Sequence, residues 1–210
     1  MITVLLPFQT RALDGNGSAE QPFALYSRSD LDSIRNHKQS YFILMNDVYI
    51  KETHEDTLAG KWAPIGSPGD PFTGELNGNG HMLINLDAQF FGYINSGTVR
   101  NLGIKNFLIT DSLSRVGIIV GDNNDGLIDS CSISGKFEAK GWCIGGIVGF
   151  NIGGTISNCR SVCEINASGD YIGGVAGWNA GGNGIIRNCY TYGKVFTVDK
   201  AYAKAIGGIA

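Results

Sequence analysis

The chain has 210 residues and a formal net charge of −3; 43% of its residues are hydrophobic, 17% are charged, and 31 are glycine. The weak negative charge, without any run of basic residues, gives no electrostatic basis for nucleic-acid binding. No apolar stretch approaches the roughly 18 residues that span a bilayer, so we expect no membrane span. Plentiful Val, Ile, Leu and Phe, together with low charge and high glycine, favour a folded domain with many tight turns.

The first residues, 1–20, predict an N-terminal lead-in. The opening "MITVLLPF" is apolar for only a few residues and lacks a basic region, so it is a poor export signal. Asp14, Asn16 and Ser18 are spaced like the first ligands of a calcium loop, but the glycine and glutamate of an EF-hand do not follow. We therefore expect an Asx-rich loop and no metal here.

The next segment, 21–40, carries a helix-start signal. Ser29 is followed by Asp30 and Asp32, which suit the first turn of a helix. This pattern predicts a short helix over residues 30–37 with Ser29 as its N-cap. We expect the segment to cap the open end of a β-structure, whose first strands come from "YFILMNDVYI" at 41–50.

A repeat occupies most of the remaining chain. The segments "VGIIVG", "IGGIVG" and "IGGVAG" begin at Val116, Ile144 and Ile172, which lie 28 residues apart. A degenerate copy stands upstream near residue 90, and an incomplete one begins at Ile206. Fixed self-similarity at this period predicts a repeat architecture. Three kinds of residue recur in register: Gly121, Gly149 and Gly177; Asn123, Asn151 and Asn179; Cys131, Cys159 and Cys189, with Leu102 at the cysteine position upstream.

The repeat predicts stacked β-structure. Its apolar segments are short and β-branched and are separated by Gly, Asn, Asp and Ser, which is typical of strands and turns. In the best copy we expect three strands, near 145–149, 155–159 and 163–167, and about six coils in total. Stacking would place equivalent residues about 4.8 Å apart. We expect the asparagines to form an inward ladder, the cysteines to pack inside as reduced thiols, and the glycines to allow close backbone approach.

The pattern "GG-I/V-x-G-x-N-x-G-x-I-x-N-C" resembles the GLUG motif of repeat regions in bacterial surface and secreted proteins. These include adhesins and proteins related to immunoglobulin A1-specific metallopeptidases. The segment at 62–86 resembles the lead-in coil that often accompanies such motifs, and the segment at 22–36 resembles the usual start of these modules. The resemblance implies a right-handed parallel β-helix over residues 21–210, with GLUG-like repeats at 90–210 of which the last is incomplete. It also implies an extracellular or cell-surface location.

The sequence offers little support for catalysis. A zinc peptidase needs H-E-x-x-H, but no second histidine follows His54 and Glu55 at that spacing. Asp122 and Asp125 form the best carboxylate group, with Asp111 and Asp129 near them in sequence. Asp122, however, shares its repeat position with Phe150 and Trp178, and Asp125 precedes a turn glycine. We therefore expect no catalytic residues, no metal and no cofactor.

The most suggestive candidates are aromatic. If Asn151 and Asn179 point inward, alternation along the strand sends Phe150 and Trp178 outward, and Tyr93 extends this column. Exposed aromatics stacked along a solenoid bind sugar rings or a protein partner; the alternative is that they pack under a loop or a neighbouring domain.

We predict a non-catalytic surface or secreted module that acts as an adhesin-like spacer and binding face, or as a filament-forming unit. Its partners would be a glycan, a host or cell-surface protein, or another copy through an open C-terminal coil. The alternative is a carbohydrate-active β-helix enzyme or its carbohydrate-binding part.

Overall fold

The computed structural model describes residues 12–111, 114–197 and 206–209. It is an all-β solenoid with 50% strand and 5% helix, which confirms the predicted fold class. Every pairing between its strands is parallel, as stacking of equivalent segments requires. Residues 1–11 of the predicted lead-in, and Ala210 of the incomplete repeat, lie outside the described residues.

The first part of the chain builds a cap and two short rungs. The elements are β1 (Phe23–Leu25), helix α1 (Arg28–Ser33) with a following 3₁₀ turn (Ile34–Asn36), β2 (Tyr41–Leu44), β3 (Val48–Tyr49), β4 (Glu75–Asn77) and β5 (Met82–Ile84).

The second part consists of four longer coils. The first contains β6 (Phe91–Asn95), β7 (Thr98–Arg100) and β8 (Gly103–Asp111). The second contains β9 (Val116–Gly117), β10 (Val120–Asn124), β11 (Leu127–Asp129) and β12 (Ser132–Lys140). The third contains β13 (Ile144–Gly145), β14 (Val148–Ile152), β15 (Thr155–Ser157) and β16 (Arg160–Ser168). The fourth contains β17 (Ile172–Gly173), β18 (Ala176–Ala180), β19 (Ile185–Arg187) and β20 (Tyr190–Thr197). Strand β21 (Ile206–Gly207) follows them. The three predicted strands per coil are therefore joined by a fourth, of two residues.

Equivalent strands of successive coils form four sheets, of which two begin in the first part of the chain and two begin in the longer coils. Their orders are β1-β2-β4-β7-β11-β15-β19, β6-β10-β14-β18, β3-β5-β8-β12-β16-β20 and β9-β13-β17-β21. The register departs from this regularity between β8 and β12, where Asn106 is an extra residue. Its φ of 53° and its hydrogen bond to Asn85 Oδ1, at 2.6 Å, hold this bulge in place.

The N-terminal helix begins two residues earlier than predicted. Ser27, not Ser29, is the N-cap: its hydroxyl accepts the N–H of Asp30, whose carboxylate accepts the N–H of Ser27. Ser27 and Ser29 each have an aspartate three residues later, so the sequence alone does not distinguish the two starts. The earlier start points Leu31 into the core, where it is fully buried.

The helix packs on the first rung of the solenoid. Ile34, in the turn after it, is also fully buried. Arg28 Nη1 donates to the carbonyl of Ile50 at 2.7 Å, and the guanidinium of Arg35 lies 5.0 Å from the ring centre of Trp62. Both arginines thus cover backbone and apolar surface next to the first strands, as a cap should.

The core changes in character along the axis. Near the cap it is aromatic, and Trp62 stacks on Phe90 at 5.1 Å while its indole N–H donates to the Phe90 carbonyl at 3.0 Å. In the regular coils it consists mainly of Ile, Val, Ala and cysteine, together with Phe107 and Phe137. Cys131 and Cys159 are 1% exposed, as is Leu102 upstream, so the predicted interior column is confirmed at these positions. Cys189, its third predicted cysteine, is only half-buried.

All five cysteines are free thiols, in agreement with the prediction. A side-chain hydrogen bond with the neighbouring Cys131 raises the pKa of Cys159, and burial raises the pKa of Cys143 to about 12. Since the thiolate is the reactive form, these thiols act as small apolar residues.

The predicted asparagine ladder is confirmed. Asn123 Nδ2 donates to Asn151 Oδ1 at 2.7 Å, and Asn151 Nδ2 donates to Asn179 Oδ1 at 2.6 Å. Each also donates to a carbonyl of its own turn; Asn151 uses Gly154, at 2.8 Å. The ladder begins at Asn123, whose Oδ1 lacks a partner because Ile94 occupies the equivalent position one coil earlier.

Gly149 lies where two coils approach each other closely. A Cβ at this position would be 2.5 Å from the Arg115 carbonyl carbon and 2.6 Å from the Val116 nitrogen. Gly177 has the same surroundings one coil later. The recurrence of glycine in this column therefore comes from steric exclusion of a side chain, as the sequence predicted.

Candidate functional site

The predicted aromatic column faces outward. Asp122 is in register with Tyr93 on one side and with Phe150 on the other, and Phe150 is in register with Trp178. Trp178 is 38% exposed, and Phe150 and Tyr93 are half-buried, whereas the adjacent Asn151 is fully buried. Alternation along β10, β14 and β18 thus separates an inward column from an outward one.

Asp122 separates Tyr93 from the other aromatics. Tyr93 lies on β6, whose free edge is met by residues of the preceding loop: Ile65 bridges to Phe91 and Phe72 bridges to Ile94. The structure therefore brings Phe150 and Trp178 into contact but leaves Tyr93 at the end of the column, beside the loop.

A second row of side chains lies beside this column and was missed by the sequence analysis. It comes from the turns that precede β9, β13 and β17. We call the combined surface the aromatic stripe; its members are Arg115, Asp122, Trp142, Phe150, Tyr171 and Trp178. Each of three successive coils supplies one residue from this turn and one from its second strand, which is β10, β14 or β18.

The first coil contributes an ion pair. Arg115 Nη1 lies 3.1 Å from Asp122 Oδ1, and the guanidinium also lies 4.8 Å from the ring centre of Trp142 and 4.7 Å from that of Phe150. Arg115 therefore joins the charged end of the stripe to its aromatic part through cation–π contacts.

Burial raises the pKa of Asp122 above its ordinary value, and the Arg115 guanidinium opposes this shift. The side chain of Asp122 is 16% exposed, against 39% for that of Arg115. Loss of hydration thus exceeds the benefit of the ion pair, which is the expected balance for a charge lying against aromatic rings.

The other two coils contribute rings. Tyr171 stacks on Trp178 with centroids 4.6 Å apart and planes 17° apart, and Phe150 meets Trp178 edge-on at 5.2 Å. Trp142 lies 6.5 Å from Trp178 and is 37% exposed. These contacts orient both indoles while leaving part of each on the surface.

The backbone of the turns explains why the second row escaped the sequence analysis. Arg115, Cys143 and Tyr171 have φ of 59°, 58° and 60°, in the left-handed region. Strand alternation does not apply across such a turn, so it gives no direction for these side chains. The sequence feature that could have indicated this second row is the 28-residue period, which places Arg115 and Tyr171 at equivalent positions.

The other sequence candidates do not converge on a site. Asp125 is an exposed turn residue with φ of 51°, and Asp129 accepts hydrogen bonds from Ser157 and Asn158 on the next coil. In the predicted lead-in, Asn16 Oδ1 accepts the N–H of Ser18, as in an Asx turn. Within the described residues no three His, Cys, Asp or Glu side chains are grouped so that they could hold a metal ion. The side chain of Asp111 lies outside the described set.

The comparisons with known proteins agree with the fold and the repeat. Residues 140–162 match the GLUG motif. This segment contains β14 and two residues of the aromatic stripe, Trp142 and Phe150. The motif therefore coincides with the coil in the middle of the stripe.

Two relatives share part of the sequence. Halomucin of Haloquadratum walsbyi is 35% identical over 141 residues, which are 60% of this chain and 2% of halomucin. A protein of Evansella cellulosilytica described as a Gly-rich membrane protein is 31% identical over 132 residues, 57% of this chain and 15% of that protein. The chain therefore spans only a small part of each relative's length.

A solved structure, of a protein from Bacteroides ovatus described as an immunoglobulin A1 protease, superposes with a TM-score of 0.53 at 20% identity. The match covers 93% of this chain and 86% of that chain. At this identity the similarity shows the fold alone. Of the helices in the described part of this chain, none has the length and apolarity that crossing a membrane requires.

Proposed function

We propose that this chain is a non-catalytic module of a surface or extracellular protein, in which a rigid solenoid carries the aromatic stripe as an adhesin-like binding face. The observation that carries the proposal is the exposure of Trp142 and Trp178 on adjacent coils, held in place by Arg115 and Tyr171. Exposed aromatic groups held on a rigid scaffold are typical of interaction sites.

The relatives support a surface location. The segments that match halomucin and the Gly-rich membrane protein cover 60% and 57% of this chain, at 35% and 31% identity. A stack of parallel strands bonded along its axis is a suitable spacer, because each coil is restrained by both neighbours.

The chemistry of the carboxylates supports a non-catalytic role over the alternative of a carbohydrate-active enzyme. A hydrolase needs two carboxyl groups that face each other across a substrate. Asp122 is paired with Arg115. Asp129 lies on a different sheet from Asp122 and is hydrogen-bonded to Ser157.

The test is adhesion of beads coated with the chain to glycan arrays and to cell surfaces. The double variant Trp142→Ala/Trp178→Ala should lose adhesion because the exposed rings are removed. The matched control is Tyr190→Ala/Tyr192→Ala, which removes two exposed rings, 54% and 76% accessible, outside the stripe. Equal adhesion of both variants and the parent would refute the binding face. Release of soluble fragments from polysaccharides incubated with the parent would refute the non-catalytic role.

Self-association through the last coil stays a prediction. Light scattering and electron microscopy of the purified chain test it directly: unbranched fibres would establish filament growth, and a monodisperse monomer would exclude it.

A further inference from the structure

We propose that the aromatic stripe binds a neutral oligosaccharide, with sugar rings against Trp142 and Trp178 and hydroxyl groups on the Arg115–Asp122 pair. This inference rests on the proposed binding function and names the ligand class of the same surface.

The charges of the stripe favour a neutral ligand. Arg115 and Asp122 are its two charged groups, and they lie 3.1 Å apart, so their charges compensate each other. A polyanion would meet the Asp122 carboxylate, and a cationic ligand would meet the Arg115 guanidinium. Neighbouring hydroxyl groups suit both, since a hydroxyl donates to a carboxylate and accepts from a guanidinium.

The size of the stripe favours a small ligand over a protein. Its three coils span about 10 Å, as two steps of roughly 4.8 Å between neighbouring strands. A stable protein interface engages about 20–30 residues on each side. The six side chains of the stripe fall well short of that number, but they match a chain of a few sugar units.

The indoles provide apolar contact with defined orientation. Trp142 and Trp178 are 37% and 38% exposed, and their planes are inclined by 64° at 6.5 Å. A sugar ring has an apolar face of C–H groups and a rim of hydroxyls. Burying that face on an indole removes apolar surface from water while the rim stays hydrated.

A cavity at the charged end supplies independent support. Val116, the neighbour of Arg115, borders a cavity of about 210 Å³. Its other lining residues are Lys61, Trp62, Pro64, Ala88, Gln89 and Ile109. Gln89 Oε1 is a buried acceptor that has no hydrogen-bond partner among the described residues. A buried acceptor of this kind requires a donor, and a sugar hydroxyl supplies one.

The experiment is a titration of the intact chain with cellohexaose, xylohexaose, mannohexaose and, as a charged comparison, hexagalacturonate. Binding is followed by tryptophan fluorescence and calorimetry. We expect saturable binding of at least one neutral hexasaccharide. Trp178→Ala should weaken it about tenfold or more, as for a buried aromatic anchor, and Gln89→Ala should weaken it several-fold. Tyr192→Ala, outside the stripe, should leave the affinity unchanged.

The outcomes separate this inference from the proposed function. The inference would be overturned if the chain bound hexagalacturonate but none of the neutral sugars. It would also be overturned if Trp178→Ala and the parent bound the neutral sugars with equal affinity. Failure of all four sugars, with adhesion of coated beads still lost in Trp142→Ala/Trp178→Ala, would refute the saccharide and keep the binding face. Circular dichroism of each variant verifies that the fold is retained.

Discussion

Two neighbouring columns of side chains on β10, β14 and β18 differ sharply in composition. The inward column contains asparagine in each coil, at 123, 151 and 179, whereas the outward column, one residue earlier, contains Asp122, Phe150 and Trp178. The inward side chains bond to their own copies in the next coil, which requires identical groups at a constant spacing. The outward side chains face solvent and each other, so their identity can change without disturbing the stack. Folding constraint is therefore located inside, and the outward positions are the ones at which the residue can vary.

The inward ladder should be the most sensitive part of this comparison. Asn151→Ala leaves the second N–H of Asn123, the Oδ1 of Asn179 and the Gly154 carbonyl without their present partners. Each unsatisfied buried group costs about 1–3 kcal/mol, so we expect a loss of about 3 kcal/mol or more in the free energy of unfolding. Urea denaturation followed by circular dichroism measures it.

The matched control for the ladder is Asn124→Ala. Asn124 also bonds to an asparagine on the neighbouring coil, Asn95 at 2.7 Å, but it is half-buried on the outward side. Its replacement should cost about 1 kcal/mol or less. Equal losses for Asn124→Ala and Asn151→Ala would contradict the distinction between the two columns.

The glycine column tests the constraint on spacing between coils. In Gly149→Val the new side chain meets backbone atoms of the preceding coil at about 2.5 Å, so coils must separate locally. We expect a loss of about 1–3 kcal/mol, typical of overpacking. Gly182→Val is the control, since a Cβ there meets nothing within 4 Å. An unchanged denaturation midpoint for Gly149→Val would show that the coils tolerate wider spacing.

The sequence predicts those features that repeat. The period identifies the solenoid, the asparagine ladder, the cysteine column and the tight glycine positions, because each requires the same residue in successive coils. Its right-handed sense, inferred from the resemblance, stays a prediction. The domain limits at 21–210 also stay a prediction.

Features that depend on a single contact were not predictable. The N-cap at Ser27 is selected by the burial of Leu31 against the first rung, while an equivalent local signal exists at Ser29. The turn row of the aromatic stripe depends on left-handed residues at 115 and 171, neither of which is glycine or asparagine. The bulge at Asn106 has no counterpart in the other coils.

The outward column should tolerate substitution better than the ladder. In Trp178→Thr the ring contacts with Tyr171 and Phe150 are lost, and each such pair is worth about 0.5–1.5 kcal/mol. Because Trp178 is already 38% exposed, we expect the net loss to stay near 1 kcal/mol, below that of Asn151→Ala. Thermal and urea denaturation of both variants compare them directly. A greater loss for Trp178→Thr would make the stripe a structural element instead of a binding face.

One outward column makes bonds between coils with unlike partners. On the sheet that contains β11, β15 and β19, Asp129 is followed by Ser157 and Arg187. The Ser157 hydroxyl donates to Asp129 Oδ1 at 2.6 Å, and Asn158 Nδ2 donates to the same oxygen at 2.8 Å. These bonds, led by that of Ser157, hold the pKa of Asp129 below its ordinary value of 3.8, although partial burial opposes them.

This depressed pKa predicts the smallest effect, a pH dependence at the acid end. A carboxyl whose pKa is lower in the folded state stabilises the fold above the pKa of the unfolded chain, near 3.8, and this stabilisation is lost as pH falls through the folded value. The urea midpoint of Ser157→Ala should therefore fall less steeply than that of the parent between about pH 5 and pH 2. Ser134→Ala, on an outward position of β12, is the control and should keep the slope of the parent. Because Asp129 is largely solvated, the difference in slope between Ser157→Ala and the parent should be small. Parallel curves of urea midpoint against pH for the two proteins would mean that the Ser157–Asp129 bond contributes nothing to the stability of the stack.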